Sequence, residues 1–128
     1  LKAFDIDNPV YYADLDWNMV LRLHKQYKPV INDLPKYPEV KRDLALLVDK
    51  SVKFADLAAA AVAAEKKLLK QVTLFDVYEG KNLEAGKKSY AINLTLQDED
   101  KTMNDKQTDN IMQKIVQNLE KQLGAKLR

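Results

Sequence analysis

The sequence predicts an α+β fold: an antiparallel sheet built in the order β-α-β-β-α-β, with two helices on one face, preceded by a short strand-helix segment. Three observations predict it. From Lys88 to Gln97, Tyr90, Ile92, Leu94 and Leu96 alternate with Ser89, Ala91, Asn93 and Thr95, the two-residue period of a strand with one face buried. From Asp105 to Leu123, Ile111, Met112, Ile115, Val116, Leu119 and Leu123 recur at the spacing of one helical face. Between Leu69 and Gln97, two extended stretches flank the turn region Gly80 to Gly86, which reads as an antiparallel hairpin.

The elements follow in order. Val10 to Leu15 has strand composition, with Pro9 at its mouth. Asp16 is placed to cap a short helix from Trp17 to Lys25, whose Met19, Val20 and Leu23 form an apolar stripe. One strand and one short helix bury too little to stand alone, so this segment is expected to close a neighbouring domain. Pro29, Pro35 and Pro38 then keep Gln26 to Pro38 out of helix and sheet, as a stiff extended linker. We place the domain division at residues 1–35 and 36–128.

Arg42 to Val48 is the first strand of the second domain. Ser51 is the expected cap of a helix from about Val52 to Lys67, with Phe54, Leu57, Ala58, Ala61 and Val62 toward the core and Lys66, Lys67 and Lys70 around its end. The strand Leu69 to Tyr78 is rich in Val, Thr, Phe and Tyr. Asn104 and Gln107 form a capping box for the last helix, Gly124 stops it, and Ala125 to Arg128 makes a short final strand. This is the ferredoxin-like arrangement. It leaves one sheet face open, with Ser89, Ala91, Asn93 and Thr95 beside Ala45 and Leu47, and with Thr73, Phe75 and Val77 if Leu74 points to the helices. Such a surface can receive unstacked bases, or another protein domain.

Composition bounds the chemistry. The 128 residues suffice for one ordinary domain. No apolar run approaches a membrane span, and the N-terminus lacks a signal-peptide layout. The sequence begins with Leu1 rather than Met, so we expect a piece of a longer protein. The absence of Cys excludes disulfides and thiolate chemistry and fits a reducing compartment without proving one; the expected location is cytoplasmic. The net charge of +2 combines −1 in residues 1–35 with +3 in residues 36–128, a weak lean toward RNA for the second part. His24 has no nucleophile or orienting acid in sequence pattern. Asp98, Glu99 and Asp100 lack the spacing of a calcium loop. Neither GxGxxG nor a P-loop occurs. We therefore expect no catalytic residue and no metal site in this segment.

Three stretches carry a resemblance. Lys36 to Val48 (KYPEVKRDLALLV) has Pro-x-x-x-Arg-Asp before alternating apolar residues. Leu74 to Gly80 (LFDVYEG) has Phe-Asp-x-Tyr before a glycine. Gly86 to Gln97 (GKKSYAINLTLQ) opens on Gly-Lys-Lys-Ser. Together, over roughly Tyr27 to Arg128, they resemble the C-terminal anticodon-binding module of bacterial phenylalanyl-tRNA synthetase beta chains. The opening segment is similar to the end of the catalytic-like domain that precedes that module. Tyr37 replaces the family's usual Phe. Glu79 stands where a basic residue is common, which weakens a phosphate role there.

The resemblance implies a ferredoxin-like fold and contact with the anticodon loop of phenylalanine tRNA. It also implies a longer beta chain in a heterotetramer with alpha chains, whose catalytic site joins phenylalanine to tRNA with ATP and magnesium. Site residues follow as expectations. Arg42 would bond a phosphate or stack on a base, against an ion pair with Asp43 or Asp76. Phe75 and Tyr78 would stack bases, against packing in the core or at the hairpin end. Lys87 and Lys88 would reach phosphates, against a solvated loop. Ser89, Asn93, Thr95 and Gln97 would read base edges, against a wet sheet face. Two rival functions share the fold: an amino-acid-binding regulatory domain, disfavoured because Asp49-Lys50-Ser51 contains no glycine, and a subunit-interaction domain.

Overall fold

A computed structural model describes residues 4–6, 8–25, 27–30 and 34–128. The chain divides into two compact units, Leu1–Leu34 and Pro35–Arg128. Gln26 and residues 31–33 of the proline-containing linker lie outside the described residues.

In the first unit, helix α1 (Trp17–His24) begins where its cap predicts. The Asp16 carboxylate accepts from the Asn18 and Met19 N–H groups at 2.9 and 3.2 Å, satisfying two of the donors that a helix start leaves unpaired. The expected strand Val10–Leu15 is absent. A strand exists only against a partner ladder, and among the described residues none pairs with this stretch, so its strand-prone composition has nothing to act on.

The second unit contains β1 (Val40–Asp49), α2 (Phe54–Ala64), β2 (Leu69–Tyr78), β3 (Lys87–Leu96), α3 (Asp105–Leu123) and β4 (Lys126–Leu127). The sheet order is β2-β3-β1-β4, and each neighbouring pair is antiparallel. This is the ferredoxin-like topology that the element order predicts. The β1–β3 register sets Leu44 against Ile92 and Leu46 against Tyr90, so even-numbered residues of both strands share one face. Helices α2 and α3 bury that face. Leu46, Val48, Ile92, Leu94 and Leu96 pack with Leu57, Ala60 and Ala61 of α2 and Ile111, Ile115 and Leu119 of α3.

Helix α3 keeps its expected bounds. Asn104 Oδ1 accepts from the Gln107 N–H at 2.8 Å, and Gly124 ends the helix in the left-handed region at φ 61°, where a side chain would be strained. Helix α2 is shorter than its sequence suggests. Ser51 does not cap it: the Ser51 N–H and hydroxyl both bond Asp49 Oδ1, and the helix starts at Phe54. At the other end the backbone of Glu65 turns extended, and its carboxylate accepts from the Lys67 and Leu68 N–H groups, making a turn where helix was expected. The helix is also rotated from the expected face. Leu57, Ala60 and Ala61 are buried and Val62 is 45% exposed. Alanines at the contact let α3 come close, and Asn118 Nδ2 donates to the Ala60 carbonyl at 2.8 Å.

Strand β2 carries two register shifts, one between Leu69 and Gln71 and one between Leu74 and Asp76. The second is a β-bulge at Phe75 and decides what β2 shows on the open face.

Candidate nucleic-acid interface

Register assigns the open face. Lys41, Asp43, Ala45, Leu47 and Asp49 of β1 lie beside Thr95, Asn93, Ala91, Ser89 and Lys87 of β3. On β2, Gln71 and Thr73 follow the alternation. After the bulge Asp76 stands opposite Ala91 and Tyr78 opposite Ser89. Val77, expected on this face, instead pairs with Tyr90 on the helix side, because the extra residue at Phe75 inverts the alternation. On the other edge, Lys126 pairs with Leu47, and the Arg128 N–H bonds the Ala45 carbonyl at 2.9 Å. Two cross-sheet rows result: Lys126–Leu47–Ser89–Tyr78 and Arg128–Ala45–Ala91–Asp76.

The aromatic candidates are accessible. Phe75 is 58% exposed and Tyr78 37% exposed. The hydroxyl end of the Tyr78 ring lies so close to Gly80 that a Cβ there would collide with it. That contact explains the glycine after Phe-Asp-x-Tyr-Glu: only a residue without a side chain lets the ring sit there. The Arg128 guanidinium lies over the same ring, 5.4 Å from its centroid.

The polar candidates divide sharply. Ser89 and Thr95 sit on the open face but are 4% and 6% exposed. Each is a short side chain on a central strand between longer neighbours, Leu47 and Tyr78 for Ser89, Lys41 and Gln71 for Thr95. Asn93 Nδ2 donates to Asp43 Oδ1 at 2.7 Å, and its Oδ1 accepts from the Thr95 hydroxyl at 3.3 Å. The three form a chain within the sheet surface. Gln97 Nε2 donates to the Tyr37 carbonyl at 2.7 Å, while its N–H bonds the Leu68 carbonyl, so this residue ties the approach to β1 onto the hairpin end.

The basic candidates are not one cluster. Arg42 lies on the helix side, where its Nη2 reaches Asp105 of α3 at 3.4 Å; neither Asp43 nor Asp76 is its partner. Lys87 and Lys88 point to opposite faces, as neighbours on a strand must. Lys87 faces Asp49 at 3.8 Å, and Lys88 Nζ sits 4.7 Å from the Tyr90 ring on the helix side. The backbone N–H and then the hydroxyl of Ser51 hold the Asp49 carboxyl below its ordinary range, with Lys87 and Lys88 adding to the effect. Lys50 pairs with Glu79 at 3.3 Å, so the acidic residue that departs from the family pattern neutralises a neighbouring cation. Among the described residues no group of His, Asp and Glu is arranged to hold a metal ion.

Asp76 and Arg128 are the open-face groups that sequence reasoning missed. The signal for Asp76 was the broken alternation at Leu74-Phe75, where two apolar neighbours mark a bulge. The signal for Arg128 was its two-residue offset from Lys126 on a strand whose pairing no local pattern reveals.

What this surface can do follows from its parts. Small side chains at Ala45, Ala91 and Ser89 form a floor, aromatic rings stand at the β2 edge, and charges of both signs surround them. The fold and this face define a class: ferredoxin-like α+β domains with small and aromatic side chains on the uncovered side of the sheet. The family described as the ferredoxin-fold anticodon binding domain matches residues 35–128, and the chain belongs to that family. The whole chain is also similar to phenylalanine–tRNA ligase beta subunits, 61% identical to that of Bacteroides fragilis, 56% to that of Porphyromonas gingivalis and 38% to that of Syntrophotalea carbinolica. In each case all 128 residues align, and the chain spans 16% of the length of the relative. No described helix is long and apolar enough to cross a membrane.

Proposed function

We propose that residues 36–128 bind the anticodon loop of phenylalanine tRNA as the anticodon-binding module of a phenylalanyl-tRNA synthetase beta chain. The observation that carries this reading is the open face: the Tyr78 ring and the Asp76 carboxylate beside a floor of Ala45, Ala91 and Ser89, with exposed Phe75 at the adjoining bulge, in a chain of an anticodon-binding family. Bases of a single-stranded loop stack on such rings for about 1–3 kcal/mol each. A carboxylate beside them, here Asp76, can accept from an exocyclic amine. The near balance of charge on this face suits stacking more than dense phosphate contact.

In this reading the segment holds RNA and contains no catalytic group. The longer protein joins phenylalanine to tRNA with ATP and magnesium at a site on the alpha chain, within a heterotetramer in the cytoplasm. The unit Leu1–Leu34 is the end of the domain that precedes the module. The test is a fluorescence-anisotropy titration of the chain with a phenylalanine-tRNA anticodon stem-loop and a scrambled-loop control at two salt concentrations. Preferential, salt-sensitive binding of the native loop is expected. Equal binding of both loops would leave only a weakly basic surface and overturn the assignment.

A further inference from the structure

In the arrangement the structure holds, one face of the Tyr78 ring is already occupied. The ring's hydroxyl end is seated against Gly80, and the Arg128 guanidinium covers its face at 5.4 Å. Arg128 starts beside Ala45 on the opposite edge of the sheet and reaches Tyr78 over the row Ala45–Ala91. The face it covers is therefore the one turned toward the small-residue floor, where a base would lie. Longer side chains at positions 45 or 91 would obstruct that path.

We propose that Arg128 is a displaceable cap on the stacking face of Tyr78. It occupies the face in the RNA-free protein and swings out to bond a phosphate when a base takes its place. The proposal rests on the RNA-binding reading above. Its physical basis is a balance between similar interactions. An exposed cation–ring contact is weak and readily exchanged, whereas a base–ring stack together with an Arg–phosphate pair restores a partner to both groups. No described carboxylate pairs with Arg128 to hold it elsewhere.

The experiment uses the 128-residue chain with carbon-13-labelled tyrosine rings, the Tyr78 signals being assigned through Tyr78→Phe, and the anticodon stem-loop as ligand. Without RNA, Arg128→Ala shifts the Tyr78 ring resonances. On saturation with the stem-loop, the wild-type Tyr78 resonances move toward those of the saturated variant, since the arginine has left the ring in both. In anisotropy titrations across a salt series, Arg128→Ala flattens the slope of log affinity against log salt by about 0.7, the value for one phosphate contact on a single strand. Arg128→Lys restores the slope without restoring the RNA-free ring signals. An unchanged slope in Arg128→Ala, or wild-type Tyr78 resonances that stay put on saturation, overturns the cap while leaving RNA binding intact. Failure of the wild-type chain to bind the stem-loop at low salt would instead sink the RNA reading, and the cap with it. Melting curves check that the variants are folded, and Arg128→Gln replaces Arg128→Ala if the latter melts early.

Discussion

The two faces of this one sheet are built on opposite rules. The helix side is closed by repetition: Leu46, Val48, Ile92, Leu94 and Leu96 meet apolar stripes of α2 and α3, and each residue is buried among several equivalents. The open side is closed by particular pairs: Asn93 with Asp43, Thr95 with Asn93, Lys87 with Asp49, Arg128 with Tyr78. Repetition tolerates exchange and gives stability. Particular pairs give a surface of individual contacts, and exposed Phe75 and Asp76 stand beside it at the bulge of β2. The difference teaches where stability and binding should separate under mutation.

The largest effect should fall on the helix side. Ile115 is fully buried at the centre of α3, and Ile115→Ala should cost about 2–5 kcal/mol of stability through lost burial and the cavity left behind. Denaturant titration measures it; RNA affinity should fall only where the unfolded fraction becomes appreciable. A loss below about 1 kcal/mol would mean that α3 packs less tightly than its burial implies. On the open side, Phe75→Ala should lower stem-loop affinity by about 1–3 kcal/mol with an unchanged melting temperature. Equal affinity with preserved melting would remove Phe75 from the site. Gly80→Ala tests the neighbouring ring from below. The added methyl collides with Tyr78, so affinity should fall although the substituted residue itself faces no ligand. Gln97→Ala should separate the readouts the other way. Its amide is committed to the Tyr37 carbonyl, so it should cost about 0.5–1.5 kcal/mol of stability and leave affinity unmoved. A clear affinity loss with intact melting would return Gln97 to the site.

The same contrast explains what the sequence made legible. The helix side was readable because periodicity is a local property: the alternation of Tyr90, Ile92, Leu94 and Leu96 and the stripe of α3 each lie within one element. The errors there were the ends of α2, where Ser51 turned to Asp49 instead of capping it and Glu65 bound Lys67 and Leu68 in a turn, and its face, where Ala60 rather than Val62 is buried. The family motifs fall on the strands that line the open face. Their side chains were harder to place, because a face assignment depends on register across strands. One bulge moved Val77 off the open face and brought Asp76 onto it, and strand parity separated Lys88 from Lys87 and put Arg42 beside Asp105. The strand expected at Val10–Leu15 failed for the related reason that propensity cannot supply a partner.

The smallest predicted effect concerns a charge at the seam between the two helices and β2. Glu65 lies at the end of α2, where burial disfavours its charge. The N–H groups of Leu68 and Lys67, with Lys114 at 3.4 Å, outweigh that and hold its carboxyl below the ordinary range. The unfolded chain then binds more protons than the folded one in the acid range, so stability rises with pH there. The Glu65 contribution is fully present above the unfolded value, about 4.3 for a free Glu, and disappears as pH falls through the lower folded value. Asp49 and Glu99 are also held low, by Ser51 and by Lys70 respectively, so acid destabilisation of the wild type has several sources. Glu65→Gln isolates this one. Its carbonyl can still accept the two backbone bonds, and only the titrating charge is removed. The stability gap between wild type and variant, from melting at matched pH, should be present at neutral pH and close on acidification. A gap that stays constant across the acid range would mean that Glu65 acts by shape and hydrogen bonding alone, and that the turn after α2 owes nothing to its charge.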